Sequence, residues 1–157
     1  MMDMAPGIRN CARAVIVQDD HILLLRKEYE DGSERYVLPG GAQDLGETLA
    51  AALQRECCEE INTGVNILGL LYLADLFKPR ESTPVTYRHH VEYFFHCSVP
   101  DAYVAQNGHH PDKHQAAVVW VACGQLDSIN LFPSGLAKLF KSGNLLAHPV
   151  YLGMIDQ

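Results

Sequence analysis

No apolar run in the sequence approaches the ~20 residues that a membrane span requires, so a helical membrane protein is excluded. The first residues, Met1 to Asn10, have no apolar stretch of ~7–15 residues behind a basic start, and no export signal is expected. Basic residues are in the minority: 12 Lys and Arg stand against 19 Asp and Glu, for a formal charge of −7. Such a chain repels a nucleic-acid backbone, so no nucleic-acid partner is expected, and an anionic ligand would need a metal cation between it and the protein. There is no CxxC pair. Cys11, Cys57, Cys58, Cys97 and Cys123 are an odd set with no zinc spacing, which reads as reduced thiols in a cytoplasm. Repeats, low-complexity tracts and linkers are also missing, so residues 1–157 are taken as a single domain.

What is present is an ordinary globular pattern, with 48% apolar and 20% charged residues. Ala12–Val17 and Ile22–Leu25 are short apolar runs separated by Gln18-Asp-Asp-His21, which predicts an antiparallel hairpin. Tyr36–Leu38 predicts a strand stopped by Pro39-Gly40-Gly41. Glu47 to Ile61 holds neither Gly nor Pro, and Leu49, Leu53, Cys57 and Ile61 recur at i, i+4, which predicts a helix with one apolar face. Strands are predicted at Asn66–Leu76, His90–Ser98 and Ala116–Ala122, and a last helix at Gly135–Lys141, between Pro133 and Gly143. The pattern leaves Asn144–Gln157 unassigned.

The chemically informative segment runs from Gly41 through Glu47 to Arg55-Glu-Cys-Cys-Glu-Glu60. At ~100° per residue, Glu56, Glu59 and Glu60 share a narrow arc at the rim of the apolar stripe. Carboxylates that close raise one another's pKa, and a hard divalent cation, Mg²⁺ or Mn²⁺, relieves the conflict. Taken alone, such a run is an ordinary solvated helix end. Its surroundings point elsewhere. The stretch resembles the Nudix box of the MutT/Nudix hydrolases, G-x5-E-x7-R-E-U-x-E-E-x-G-U with U apolar. Gly41, Glu47, Arg55, Glu56, Glu59 and Glu60 match it, and Cys57 fills the first apolar position. Asn62 stands in place of the box glycine and Thr63 in place of an aliphatic residue. Asn tolerates the left-handed backbone usual just past a helix, so it is a mild departure.

The resemblance implies an α+β fold of the Nudix type, an α/β/α sandwich with a mixed sheet between helices. It implies divalent-metal-dependent hydrolysis of a nucleoside diphosphate-linked small molecule. Glu56, Glu59 and Glu60 would be the metal ligands, with the Gly40 carbonyl as a further one. Arg55 would orient Glu56, and Glu47 would brace the loop against the helix start. The general base would be a box glutamate or a group on the loop Ala105–Gln115, where Asp112 and His114 are candidates. The histidines His109, His110 and His114 show no fourth ligand for a zinc site. Arg26, at the end of the second strand, is a candidate substrate residue. His89 and His90 read as structural or substrate-edge groups, and Trp120 as core.

Among substrates, ADP-ribose or a nucleotide sugar ranks first, because Pro79 lies near the spacing from the box that marks many ADP-ribose-cleaving members. Nucleoside triphosphate clean-up is the alternative within the same chemistry. A non-catalytic Nudix ligand sensor is the alternative outside it. Only about ten residues precede the expected first strand at Ala12, too few for the added strands through which many such enzymes swap into dimers. A homodimer therefore stays open.

Overall fold

The computed structural model describes residues 2–146 and 148–156. Met1, Ala147 and Gln157 lie outside the described residues, the last two in the tail that the sequence leaves unassigned. A mixed sheet organises the chain around β1 (Met4–Gln18), which turns at Asp19-Asp20 into β2 (His21–Glu28). β3 (Glu34–Val37) and β4 (Gly40–Ala42) follow, then α1 (Leu49–Ile61), β5 (Asn66–Pro79), β6 (Tyr87–Ser98) and β7 (Gln115–Ala122). A 3-10 segment at Cys123–Ser128, α2 (Leu136–Phe140) and β8 (Tyr151–Met154) complete it. The strands lie in the order β3-β2-β1-β6-β5-β8, with β4 also on β1 and β7 also on β2. β1 and β6 are parallel, whereas β5 and β6, β1 and β2, and β2 and β7 are antiparallel.

The period-2 geometry of strands explains why Ile22–Leu25 is apolar at every position. All four side chains are fully buried, but on opposite faces. Ile22 and Leu24 join a core closed by Leu136, Leu139 and Phe140 of α2. Leu23 and Leu25 join a second core closed by Leu53, Cys57 and Ile61 of α1, with Trp120 packed partly buried against it. The sheet thus lies between helices.

Several boundaries differ from the sequence reading. The first strand begins at Met4 and not at Ala12, because the exposed stretch around Pro6-Gly7 pairs through its backbone with β6, a long-range contact that hydropathy does not register. β3 stops before Pro39, as expected, but Gly40–Ala42 then forms a separate strand that pairs antiparallel with β1. α1 starts at Leu49, with Thr48 as its cap: the Thr48 hydroxyl accepts the Ala51 amide at 3.0 Å. The last helix is the shorter Leu136–Phe140, and part of the unassigned tail forms β8 along β5. At the far end of α1, Asn62 has φ 63° and ψ 28°, the left-handed conformation its position predicts.

Candidate active site

The loop before α1 is shaped by two glycines. Gly40 has φ +130°, and a β-carbon there would lie 2.0 Å from the Ala12 carbonyl oxygen. A β-carbon at Gly41 would lie 2.5 Å from Cδ of Glu56. The loop backbone therefore touches both β1 and the acidic face of α1. The Gly40 amide donates to Oε1 of Glu60 at 2.8 Å, and the Gly40 carbonyl accepts from Nη1 of Arg13 at 3.1 Å.

Arg55 ties this loop to the helix. Its Nη2 and Nε donate to the two carboxylate oxygens of Glu47 at 2.6 and 3.2 Å, a bidentate fork. Nη2 also donates to the Ala42 carbonyl at 3.1 Å, and Nη1 donates to Glu56 at 3.0 Å. Glu59 is farther from Arg55, at 3.7 Å, and its side chain is 25% exposed. Glu47 in turn accepts the Asp44 amide at 2.8 Å. Arg55 and that amide hold the Glu47 carboxyl below its ordinary range.

Glu56 and Glu60 are in the opposite state. Burial raises the Glu56 carboxyl, with Arg55 opposing it. Burial, helped by the nearby charges of Asp112 and Glu56, pushes Glu60 up to about 8, against the Gly40 hydrogen bond. Two neighbouring carboxylates, one with a single amide donor and almost no solvent, are short of positive charge. A hard divalent cation supplies what this donor set lacks, so the residues fit Mg²⁺ or Mn²⁺.

These acids form one wall of a cavity of about 220 Å³. Strand residues line the same cavity: Cys11, Arg13 and Glu92, which the sequence reading passed over, and His90, which it read as a structural or substrate-edge group. Arg13 of β1 lays its Nε on both oxygens of Glu92 of β6, at 3.3 and 3.4 Å. Cys11 Sγ and His90 Nδ1 are 3.5 Å apart. Burial pushes the Cys11 thiol up to about 11 and His90 down to about 3, where Arg13, Lys78, Arg9 and Arg88 add to the effect. Ligand atoms of Cys11, His90 and Glu92 lie within 4.8 Å of one another, but the Glu92 carboxylate is already paired with Arg13. The available signal was polar residues at alternate positions of apolar strands: Cys11 and Arg13 in β1, His90 and Glu92 in β6.

The other candidates separate. Asp112 lines the cavity and pairs with Lys27 at 2.7 Å. Burial raises the Asp112 carboxyl, but Lys27 outweighs it and holds the group below its ordinary range. His114 is not among the cavity residues; its ring lies 4.7 Å from that of Tyr29. His109 and His110 are exposed. Arg26 is engaged by Glu28 and Glu34 and does not line the cavity. The loop that carries Asp112 is fixed to the end of α1. The Gly108 amide donates to the Glu60 carbonyl at 3.0 Å, the His110 amide to Glu59 at 3.0 Å, and the Gln115 side-chain amide to Glu60 at 2.8 Å. These bonds satisfy carbonyls that a helix C-terminus leaves open.

Comparison with known proteins agrees with this geometry. A stretch of 70 residues is 40% identical to the ADP compounds hydrolase NudE of Escherichia coli (strain K12), covering 43% of this chain and 37% of that one. Another, of 69 residues, is 39% identical to the NAD-capped RNA hydrolase NudC of Photorhabdus laumondii subsp. laumondii, covering 44% of this chain and 26% of that one. The chain therefore spans well under half the length of either relative. In structure it is similar to a MutT protein of Bacillus halodurans, with TM-score 0.65 and 18% identity over 92% of this chain and 86% of that one. The family model described as the NUDIX domain matches residues 8–142, and the chain belongs to that family.

Proposed function

We propose that the protein is a Mg²⁺- or Mn²⁺-dependent hydrolase of nucleoside diphosphate-linked small molecules, ADP-ribose or nucleotide-sugar compounds first among them. The observation that carries this reading is the pair of raised carboxylates, Glu56 and Glu60, held by Arg55 and the Gly40 amide at the wall of an open cavity. The printed name of NudE, an ADP compounds hydrolase, supports the substrate class. The reading takes residues 1–157 as one domain. It places the protein in the cytoplasm, in keeping with five free cysteines. Among the described residues no helix is long and apolar enough to cross a membrane.

In this reading Glu56, Glu59 and Glu60 would hold the cation, together with the Gly40 carbonyl, whose second lone pair remains after the Arg13 bond. When bound, the cation supplies neutralisation of phosphate oxygens and a more acidic water. Arg55 fixes the Glu56 carboxylate, and Glu47 fixes Arg55. Glu56 then accepts the proton of the attacking water. Asp112, on the same cavity and held ionised by Lys27, is the alternative acceptor. A base must lie within hydrogen-bond reach of the water, which His114 beside Tyr29 does not satisfy from outside the cavity.

A steady-state panel of nucleotides and nucleotide sugars in Mg²⁺ tests the proposal. The expected result is chelator-sensitive hydrolysis, with a higher kcat/KM for ADP-ribose or a related diphosphate compound than for any nucleoside triphosphate. A tenfold or greater preference for a triphosphate, with pyrophosphate released, would replace this substrate class by the clean-up reading. Binding without turnover across the panel would replace the enzyme by a ligand sensor.

A further inference from the structure

Two of the basic side chains that line the cavity are in ion pairs; exposed Arg9 and half-buried Lys78 are not, among the described residues. Arg13 is matched by Glu92 and Lys27 by Asp112. Lys78, at the end of β5, lines the same cavity with no ion pair or side-chain hydrogen bond among the described residues. Its ammonium lies 5.9 Å from the centroid of the Phe132 ring, and the charges of Asp112 and Glu92 act on it without forming an ion pair. Lys78 is half-buried, and its neighbours Arg13 and Lys27 are themselves cationic. A partly desolvated ammonium with no ion pair at contact distance keeps its hydrogen-bond donors free for an incoming anion. Burial first, then Arg13 and Lys27, lower its pKa, against Asp112 and Glu92, which act to raise it.

A dication at the neighbouring Cys11–His90–Glu92 group would meet that same field. Arg13, Lys78, Arg9 and Arg88 all act on His90. The field favours an anion beside these basic strand residues, while the box carboxylates favour a cation beside α1. The cavity is therefore bipolar. The α1 side suits a metal-held phosphoryl group and the Lys78 position a phosphoryl group held by the protein directly. Phe132, which also packs against the Arg35 guanidinium at 4.6 Å, supplies an aromatic surface beside the second position.

We propose that Lys78 is the substrate-binding residue that receives the phosphoryl group not held by the box carboxylates, forming an anion subsite between β5 and Phe132. This rests on the hydrolase reading above, because a diphosphate-linked substrate is what spans the two positions. Lys78 supplies a charge-assisted hydrogen bond that the ground state and the transition state share, so its loss raises KM more than it lowers kcat.

The test pairs Lys78→Met with Lys78→Arg and reads two quantities. The first is KM and kcat on the best substrate of the panel. The second is binding of inorganic pyrophosphate in Mg²⁺ by calorimetry, which needs no turnover. Lys78→Met is expected to weaken pyrophosphate binding and raise KM by about 10- to 100-fold, with kcat within about threefold and Lys78→Arg restoring most of the loss. Unchanged pyrophosphate binding and KM in Lys78→Met would overturn the subsite, as would wild-type protein that binds no pyrophosphate. If the wild type turns over no substrate but binds pyrophosphate in a Lys78-dependent way, the hydrolase reading fails and the subsite stands.

Discussion

Gly41 leaves no space between the loop and Glu56: a β-carbon on Gly41 would lie 2.5–2.8 Å from all three atoms of the Glu56 carboxylate. The loop and the acid are thus in mutual contact, and the size of one residue sets the position of the other. Gly41→Ala should push Glu56 off Arg55 and lower kcat by about 100-fold, the order expected of a misplacement near 1 Å. The overall fold should persist, since the displaced carboxylate can swing into the cavity. Turnover together with the far-ultraviolet circular dichroism melt checks this, and wild-type kcat in Gly41→Ala would show the contact to be inconsequential.

Glu56→Gln and Glu59→Gln should each lower kcat by at least ~100-fold while the protein stays folded, because each removes a charged oxygen ligand or proton acceptor. Glu56→Gln should also not lower the melting temperature, since it replaces a partly desolvated carboxylate. Near-wild-type turnover in both variants, or full activity in excess chelator, would remove the metal reading.

Asn62 is left-handed at the end of α1 and its side-chain amide donates to Gln106 at 3.0 Å. Asn62→Gly should be close to neutral, because glycine adopts this backbone freely. Asn62→Val should cost on the order of 1 kcal/mol or more, since a β-branched residue clashes there. Chemical denaturation of the three proteins measures the difference.

His90 is buried, and its pKa is pushed down from an ordinary 6.5 to about 3 by desolvation and by Arg13, Lys78, Arg9 and Arg88. The unfolded chain therefore binds a proton near pH 6.5 that the folded protein refuses until about pH 3. Between those values the unfolded state holds more protons, so folding stability falls as pH drops. Above pH 6.5 this contribution is constant. Unfolding free energy measured at pH 7.5 and 5 should decline in the wild type, and His90→Gln should flatten the decline by an amount on the order of 1 kcal/mol or more. An equal decline in both proteins would remove His90 as its source.

The helix and its acids were legible because their signals are local. An i, i+4 apolar series, a stretch without Gly or Pro, and fixed spacings from Gly41 to Glu60 all lie within one short segment. The capping role of Asn62 was legible for the same reason. The strand side of the cavity was not, because it depends on register between distant strands. Arg13 meets Glu92 only because β1 and β6 run parallel with Arg13 beside Phe94. Lys78 reaches the cavity because β5 extends past Leu76 to Pro79, where the chain loses its apolar alternation. Arg26 shows the converse. The family resemblance made it a substrate candidate, but Glu28 and Glu34 lie within reach and engage it.

The loop that carries Asp112 is moored to α1 mainly by backbone atoms. Gly108 sits so close to the helix that a β-carbon there would lie 2.3 Å from the Glu59 carbonyl oxygen, and the His110 amide closes the same turn. A segment moored in this way does not depend on the identity of its exposed side chains. His109 and Lys113 can change without loosening the mooring, provided that Gly108 and Gln115 stay, whereas His114, at φ 66°, is restricted to residues that tolerate the left-handed region. The outer side of this loop is therefore an exchangeable part: its outward residues can drift while Asp112 and the acidic helix end beneath it keep their places.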